Sequence, residues 1–236
     1  WSPSMRTKAD PFDDQVASGY EDWYQTPSGS KADALEKAAL HKLLQGFPNA
    51  ETALEVGTGT GHFTRWLTTQ GLFAVGMDRS LPMLAEAKKA DGVPLVRANA
   101  HRLPFRQRAF DLVAFVTTLE FLEHDQNAIA EALRIARHGL ILGVLNRWSA
   151  LGIQRRIRGW FHPTIYSKAR FYSIFKLKRL LQSTLDMETV ADDNAQIQWA
   201  TTLFPSWWPC KSMRQPWGGF IAMALRIKQT VRSDGP

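Results

Sequence analysis

The chain has 236 residues, 44% of them hydrophobic, and a formal net charge of +7 at pH 7. That length suits one large α/β domain and is short for two. The longest apolar runs, such as "FDLVAFV" and "GLILGVLN", are far below the roughly 20 residues that cross a bilayer, which excludes a transmembrane helix. A single cysteine, Cys210, excludes an internal disulfide and a cysteine-based metal site. We therefore expect no metal.

The amino terminus predicts a cytoplasmic protein. Its first residues, "WSPSMRTKADPFDD", contain neither an apolar core nor a small-residue cleavage site, so they do not form a signal peptide. We interpret the four residues before Met5 as foreign to the natural chain. The lone cysteine agrees with a reducing compartment.

From residue 52 onward, short apolar runs alternate with helical patterns, which predicts a doubly wound, mostly parallel sheet of seven strands with the last antiparallel. The predicted strands cover 52–56, 73–78, 94–99, 110–116, 139–145, 187–191 and 219–228. The predicted helices cover 30–47, 62–70, 81–90 with Ser80 as N-cap, 126–137 and 171–184. The Pro- and Trp-rich stretch 204–219 is predicted to be a loop.

These elements predict a single domain over residues 1–236. We divide it into an N-terminal cap (1–50), a central core (51–145), a basic lid inserted after strand five (146–175), and a C-terminal helix with the last two strands (176–236).

The lid lies in a stretch, 132–185, that contains no Asp or Glu. Within it, "SALGIQRRIRGWF" (149–161) has the pattern of an amphipathic basic helix. Such a helix can cover a substrate pocket or lie on an anionic membrane surface, and we favour the pocket. A solvated basic face is the alternative.

The stretch "ALEVGTGTGHF" places three glycines between a predicted strand and a predicted helix. Glycines there allow a sharp turn and a close approach to a ligand at the N–H groups of the helix start. The spacing of Gly57, Gly59 and Gly61 is not the G-x-G-x-x-G of nicotinamide and flavin sites. Glu55 ends the apolar run, and a buried carboxylate requires a cationic ligand or hydrogen-bond donors.

Four motifs occur in order: "LEVGTGTG", "VGMDRSLPMLAEAKK", "RANAHRLPF" and "FDLVAFVTTLEFLEHDQNAIAEALRIAR". With them the chain resembles the class I S-adenosylmethionine-dependent methyltransferases of the small-molecule type, closely over about residues 50–145. The resemblance implies a Rossmann-like methyltransferase fold, S-adenosyl-L-methionine as cofactor and S-adenosyl-L-homocysteine as product.

The resemblance also implies which residues bind the cofactor. Asp78, at the end of the second strand, would bind both ribose hydroxyls, and Met83 would lie over the adenine ring. Asn99 stands where the family usually has an aspartate, and its amide oxygen can still accept a bond from the adenine amino group. The predicted cofactor-binding set is Glu55, Gly57, Thr58, Gly59, Gly61, Asp78, Arg79, Met83, Asn99, Ala100, His101 and Thr117.

Acceptor-binding residues are harder to predict, because methyl transfer can proceed through proximity and desolvation without a catalytic constellation. Glu120 and His124 are candidates for a base or orienting group, with a helix cap or surface role as the alternative. The segment "PFDDQVASGYEDWYQTPSG" resembles a family segment that closes over the pocket. The predicted acceptor-binding set is Tyr20, Trp23, Tyr24, Glu120, Trp148 and Tyr166.

These residues predict a methyltransferase acting on a small molecule, with a preference for an acidic or phosphorylated one. The stretch after strand four lacks the proline-containing tetrad of enzymes that methylate amino groups of bases or glutamine. An RNA methyltransferase remains an alternative, using the basic stretch and its aromatics. So do a lipid or quinone-precursor methyltransferase at the membrane surface and a non-catalytic cofactor-binding module. The sequence leaves the acceptor atom and the oligomeric state open.

Overall fold

The fold is described from a computed structural model, and the described residues are 12–148, 169–187, 195–204 and 212–227. The predicted basic helix at 149–161 and the predicted acceptor-binding residue Tyr166 lie outside these ranges. Within them, no helix is both long and apolar enough to span a membrane.

The described residues contain eight strands and seven α-helices. The strands are β1 (Thr52–Val56), β2 (Phe73–Asp78), β3 (Leu95–Arg97), β4 (Phe110–Val116), β5 (Ala136–Leu145), β6 (Gln196–Thr202), β7 (Ser212–Met213) and β8 (Phe220–Arg226). The helices are α1 (Asp14–Tyr20), α2 (Asp22–Gln25), α3 (Pro27–Leu44), α4 (His62–Thr69), α5 (Leu81–Lys89), α6 (Asp125–Ile135) and α7 (Ile174–Met187). A 3-10 turn covers Leu119–Phe121.

The strands form one sheet in the order β3-β2-β1-β4-β5-β8-β6-β7. Strands β1 to β5 are parallel, and β8 runs antiparallel between β5 and β6. The predicted doubly wound, mostly parallel sheet with an antiparallel last strand is confirmed. Its first, second and fourth strands have the predicted bounds.

Two predictions about the C-terminal part need comment. The predicted strand at 187–191 lies outside the described residues except for Met187, which ends α7, and the sixth strand of the described sheet is β6. The stretch 204–219 is not entirely a loop, because β7 pairs with β6 at Thr201 and Thr202. β6 was missed although Gln196–Trp199 alternates polar and apolar residues, since this alternation covers only four residues and the pairing with β8 is a long-range contact.

The sheet is buried on both faces, as the apolar runs predicted. Consecutive residues point to opposite sides, so Leu54 and Val113 pack with α6 and α7, whereas Ala53 and Leu112 pack with α3 and α4. Ser80 caps α5 by accepting a hydrogen bond from the Met83 N–H at 3.4 Å, as predicted.

Candidate functional site

The glycine loop after β1 folds back over the end of β2. The N–H groups of Gly57 and Thr58 both donate to the carbonyl of Met77, at 2.7 and 2.9 Å. Gly57 has φ +78°, and a Cβ there would lie 2.2 Å from Thr118 Cγ2, so only glycine fits. A Cβ on Gly59, whose φ is +54°, would meet no atom within 4 Å. The loop therefore leaves open space beside Gly59.

That space is part of a cavity of about 930 Å³, including its solvent-open mouth, over the carboxyl ends of β1, β2 and β4. Open α/β sheets bind ligands at this edge. Its lining is Phe12, Tyr20, Tyr24, Glu55, Gly57, Thr58, Gly59, Thr60, His62, Phe63, Met77, Asp78, Arg79, Met83, Ala98, Asn99, Ala100, His101, Val116, Thr117, Thr118, Phe121 and Leu122. All predicted cofactor-binding residues except Gly61 line the cavity, and Gly61 is the N-cap of α4.

Glu55 lies at the base of the cavity with 1% of its surface exposed. Its Oε2 accepts hydrogen bonds from the hydroxyls of Thr58, at 3.2 Å, and Thr64. Burial raises the pKa of Glu55 to about 7, against the opposing effect of these two hydroxyls. Hydroxyl donors thus satisfy the carboxylate in part, and a cationic group in the cavity would favour its charged form.

Asp78 ends β2 in a fixed orientation beside the glycine loop. Its Oδ2 accepts a hydrogen bond from the Gly59 N–H at 2.8 Å, and its Oδ1 accepts one from the Ser80 N–H at 2.9 Å. A carboxylate has about four acceptor positions, so each oxygen can accept another hydrogen bond from a ligand hydroxyl. Met83, 2% exposed, lies on the first turn of α5 and lines the same wall.

Asn99 is held within its own loop, and its expected bond to the adenine amino group stays a prediction. Its Oδ1 lies 3.0 Å from the backbone N of His101 and 2.9 Å from Nδ1 of the same residue. A backbone N–H can only donate, so this atom is the amide oxygen, and the His101 ring donates at Nδ1. The oxygen that was expected to accept a bond from the adenine amino group already accepts two bonds within its own loop.

The end of β4 forms the third wall. Thr117 has φ +50°, a strained conformation for a β-branched residue, and its N–H donates to the Gly143 carbonyl at 2.8 Å. The hydroxyl of Thr118 donates to the carbonyl of Gly57 at 3.2 Å. The carboxyl end of β4 thus combines a strained backbone at Thr117 with a hydrogen bond from Thr118 that supports the glycine loop.

The cap covers the cavity through the aromatic side chains of Phe12, Tyr20 and Tyr24. The Phe12 ring packs edge-on against Phe121 with centroids 5.0 Å apart. Trp23, which was predicted to contact the acceptor, does not line the cavity and is 39% exposed. Its position on α2 leaves its side chain outside the cavity lining.

Of the remaining predicted acceptor residues, Tyr166 lies outside the described ranges, and Glu120 and Trp148 do not line the cavity. Glu120 is 1% exposed, and its Oε1 accepts a hydrogen bond from the Leu145 N–H at 2.6 Å. Burial raises the pKa of Glu120 to about 7. Trp148 is 54% exposed and packs under the guanidinium of Arg147 instead. His124 precedes α6, outside the lining, with its ring centroid 5.8 Å from that of His101.

Several lining residues were missed in the sequence. Phe121 ends the 3-10 turn and Leu122 follows it, and their apolar side chains in "LEFLEHD" were the available signal. His62 directly follows the glycine loop and lines the cavity. Contacts with residues distant in the sequence hold its side chain there. No local pattern marks those contacts.

Comparison with known proteins agrees with this site. Residues 54–143 match a family model described as a methyltransferase domain. A structure from Thermotoga maritima, described as a SAM-dependent methyltransferase and possible histamine N-methyltransferase, has a TM-score of 0.74 and 26% identity, covering 92% of this chain and 98% of that one. Magnesium protoporphyrin IX methyltransferase from Synechocystis PCC 6803, with bound SAH, shares the fold at a TM-score of 0.64 and 16% identity, over 92% of this chain and 97% of that one.

Relatives by sequence cover less of the chain. An uncharacterised protein of Mycobacterium tuberculosis (strain H37Rv) is 34% identical over 185 residues, which are 76% of this chain and 61% of that protein. Demethylmenaquinone methyltransferase of Mycobacterium tuberculosis (strain CDC 1551) is 37% identical over 89 residues, 38% of each chain. The chain thus spans less than two thirds of the length of these relatives.

The fold and the glycine-loop cavity define a Rossmann-like α/β domain of the class I methyltransferase type. Residues 54–143 belong to the S-adenosylmethionine-dependent methyltransferases. The family resemblance and its cofactor, S-adenosyl-L-methionine, are confirmed at this level.

Proposed function

We propose that the chain transfers a methyl group from S-adenosyl-L-methionine to a small-molecule acceptor. One observation carries the proposal: a single cavity joins the open space beside Gly59, the carboxylate of Asp78 and the aromatic side chains of the cap. The cofactor supplies a methyl group on a sulfonium, from which it moves in line to a nucleophile.

The residues at the glycine loop fit this cofactor. Asp78, held by the N–H groups of Gly59 and Ser80, presents carboxylate oxygens to ribose hydroxyls. Met83 offers a polarizable apolar surface for a base. Glu55 places a carboxylate beneath the glycine loop, where it favours a positively charged group in the cavity.

The cap would enclose the acceptor. Tyr20, Tyr24 and Phe12 form an apolar roof with hydroxyl groups at two points, and such a roof excludes water from a reaction that consumes positive charge. Proximity and alignment then supply most of the rate enhancement. The preference for an acidic acceptor stays a prediction, because the three arginines of the predicted basic helix, Arg155, Arg156 and Arg158, lie outside the described ranges.

A thermal melt with S-adenosyl-L-homocysteine tests the donor site. A ligand that binds only the folded protein at about 100 times its dissociation constant adds about 2.7 kcal/mol, which raises Tm by several degrees in a chain of this size. We expect a shift with this ligand and none with NADH. A shift with NADH alone, or with neither ligand, would contradict the proposal.

Transfer of a labelled methyl group to a panel of acceptors tests the reaction. The panel includes an imidazole-containing amine and a demethylated menaquinone, prompted by what two relatives are said to act on, together with small carboxylates, phosphates and RNA. We expect label in a small molecule. Label in RNA alone favours an RNA methyltransferase, and tight donor binding with no labelled product favours a non-catalytic module.

A further inference from the structure

His62 joins the cap to the glycine loop. It is the first residue of α4, directly after Gly61, and its side chain is 17% exposed. Its Nε2 lies 2.7 Å from Asp33 Oδ1 on α3, and its Nδ1 lies 3.6 Å from Glu21 Oε2 between α1 and α2. The Tyr24 ring stacks on the imidazole with centroids 3.7 Å apart and planes within 9°. One ring therefore touches three parts of the cap.

These contacts suit a protonated ring. Each ring nitrogen faces a carboxylate oxygen, which can only accept a hydrogen bond, so both nitrogens are best satisfied as donors. A positively charged ring against the face of Tyr24 also gains a cation–π interaction. Burial alone would lower the pKa of His62, but its hydrogen bonds to Asp33 and Glu21 outweigh burial and raise the pKa above the ordinary value of 6.5.

The other charged groups around His62 have opposing effects on the charge of its ring. Lys37 Nζ lies 2.9 Å from Nε2 and 2.7 Å from Asp33 Oδ2, so it works against the ring's charge while neutralising Asp33. Arg65 pairs with Glu21 at 3.5 Å. Beneath the loop, Glu55 interacts favourably with a charged His62. Two carboxylates in direct contact, with a third below, outweigh the one lysine.

The charged residues around His62 also contact the glycine loop. The Thr60 hydroxyl donates a hydrogen bond to Glu21, and both Thr60 and Tyr24 line the cavity with His62. Opening of α1 and α2 would break the contacts of His62 with Glu21 and Tyr24, whereas Asp33 would stay beside the ring because α3 packs against the sheet. The protonated ring would lose the carboxylate of Glu21, so opening favours loss of its proton.

We propose that His62, in its protonated form, is a positioning residue that holds the cap closed over the cofactor cavity and fixes Tyr24 above it. The inference rests on the proposed function, because the cavity must hold S-adenosyl-L-methionine for cap closure to affect methyl transfer. Protonation favours the closed cap, so closure weakens as the pH rises through the raised pKa of His62.

The rate at which S-adenosyl-L-homocysteine dissociates tests this role. Between pH 6 and pH 8.5 we expect the wild-type rate to rise, because the raised pKa of His62 makes the protonated, closed form less populated as the pH increases. His62→Gln should release the ligand rapidly at pH 6 and show little further increase, and Asp33→Asn should lie between the two. Glu55 also titrates near pH 7, and its pKa depends on His62, so the same comparison in a Glu55→Gln background isolates His62.

His41 provides the matched control. It also links α3 to the end of α4, with its Nδ1 2.6 Å from Gln70 Oε1, but this contact is exposed and lies outside the cavity lining. His41→Gln should dissociate the ligand like wild type at every pH. Equal dissociation rates and pH profiles in wild type and His62→Gln would overturn the inference, as would equal changes in the two histidine variants.

A second measurement needs no ligand. Amide hydrogen exchange over residues 14–26 reports opening of the cap, after correction for the intrinsic effect of pH. Protection should fall from pH 6 to pH 8.5 in wild type and should be low at both pH values in His62→Gln. If S-adenosyl-L-homocysteine fails to bind, the proposed function fails while this result still decides the role of His62. Protection that is independent of pH, or unchanged in the variant, would refute that role.

Discussion

The two halves of the sheet, β1 to β4 and β5 to β8, have different roles. Among the described residues, every one that lines the cavity falls either in 55–122 or in the cap, whereas β5, β6 and β8 contribute none. Instead, β8 is buried from Phe220 to Leu225 between its two antiparallel neighbours. The first half forms the binding site at successive strand ends, and the second half is a packed wall. Substitutions in the first half should therefore change ligand affinity, and those in the second should change stability.

The largest expected effect is on stability, in the second half. Phe220→Ala removes a fully buried ring from β8 and should lower the free energy of unfolding by about 3–5 kcal/mol. Urea denaturation measures the loss. Phe175→Ala, at a position 79% exposed, is the control and should change it by less than about 0.5 kcal/mol. The folded Phe220→Ala protein should keep its affinity for S-adenosyl-L-homocysteine. A weaker affinity would contradict the assignment of binding to the first half of the sheet and stability to the second.

The next effect is on affinity, in the first half. Asp78→Asn removes the charge that would accept the ribose hydroxyls and should weaken binding of S-adenosyl-L-homocysteine by about 2 kcal/mol, or about 30-fold. Isothermal titration calorimetry measures the change.

Asp111→Asn is the matched control for that experiment. Asp111 is also a partly buried carboxylate on a strand of the first half. It accepts hydrogen bonds from the N–H groups of Glu51 and Thr52, at the amino ends of the strands and opposite to the cavity. This substitution should lower stability and leave affinity unchanged. Equal losses of affinity in the two variants would show that Asp78 acts only through the fold.

An effect that depends on pH separates Glu120 from the site. The pKa of Glu120 is raised from 4.5 to about 7 in the folded protein, so its contribution to stability is present below 4.5 and is lost as the pH rises to about 7. The difference in unfolding free energy between Glu120→Gln and wild type should thus increase by up to about 3 kcal/mol from pH 4.5 to pH 8.

Denaturation at several pH values measures that difference. Glu123→Gln makes the same chemical change at an exposed position and serves as the control. We expect Glu120→Gln to bind S-adenosyl-L-homocysteine like wild type. A difference that does not vary with pH would contradict the buried, protonated state of Glu120 in the folded protein.

The same division explains what could be predicted from the sequence. β1, β2 and β4, the glycine loop and the Ser80 cap depend on near neighbours, and their patterns were sufficient. The position of β6 depends on its pairing with β8, and the orientation of Glu120 depends on the Leu145 N–H, 25 residues away. Patterns over short windows do not contain such contacts. His62 was missed for the same reason, since its partner Asp33 lies 29 residues earlier.

Amide chemical shifts of the ¹⁵N-labelled protein, recorded with and without saturating S-adenosyl-L-homocysteine, test the central claim most directly. The account predicts the largest shifts at Gly57, Gly59, Asp78 and the amides of 99–101, with smaller ones in the cap and little change along β6 and β8. Shifts concentrated in β6 and β8, or none at saturation, would contradict a cofactor site formed by the first half of the sheet.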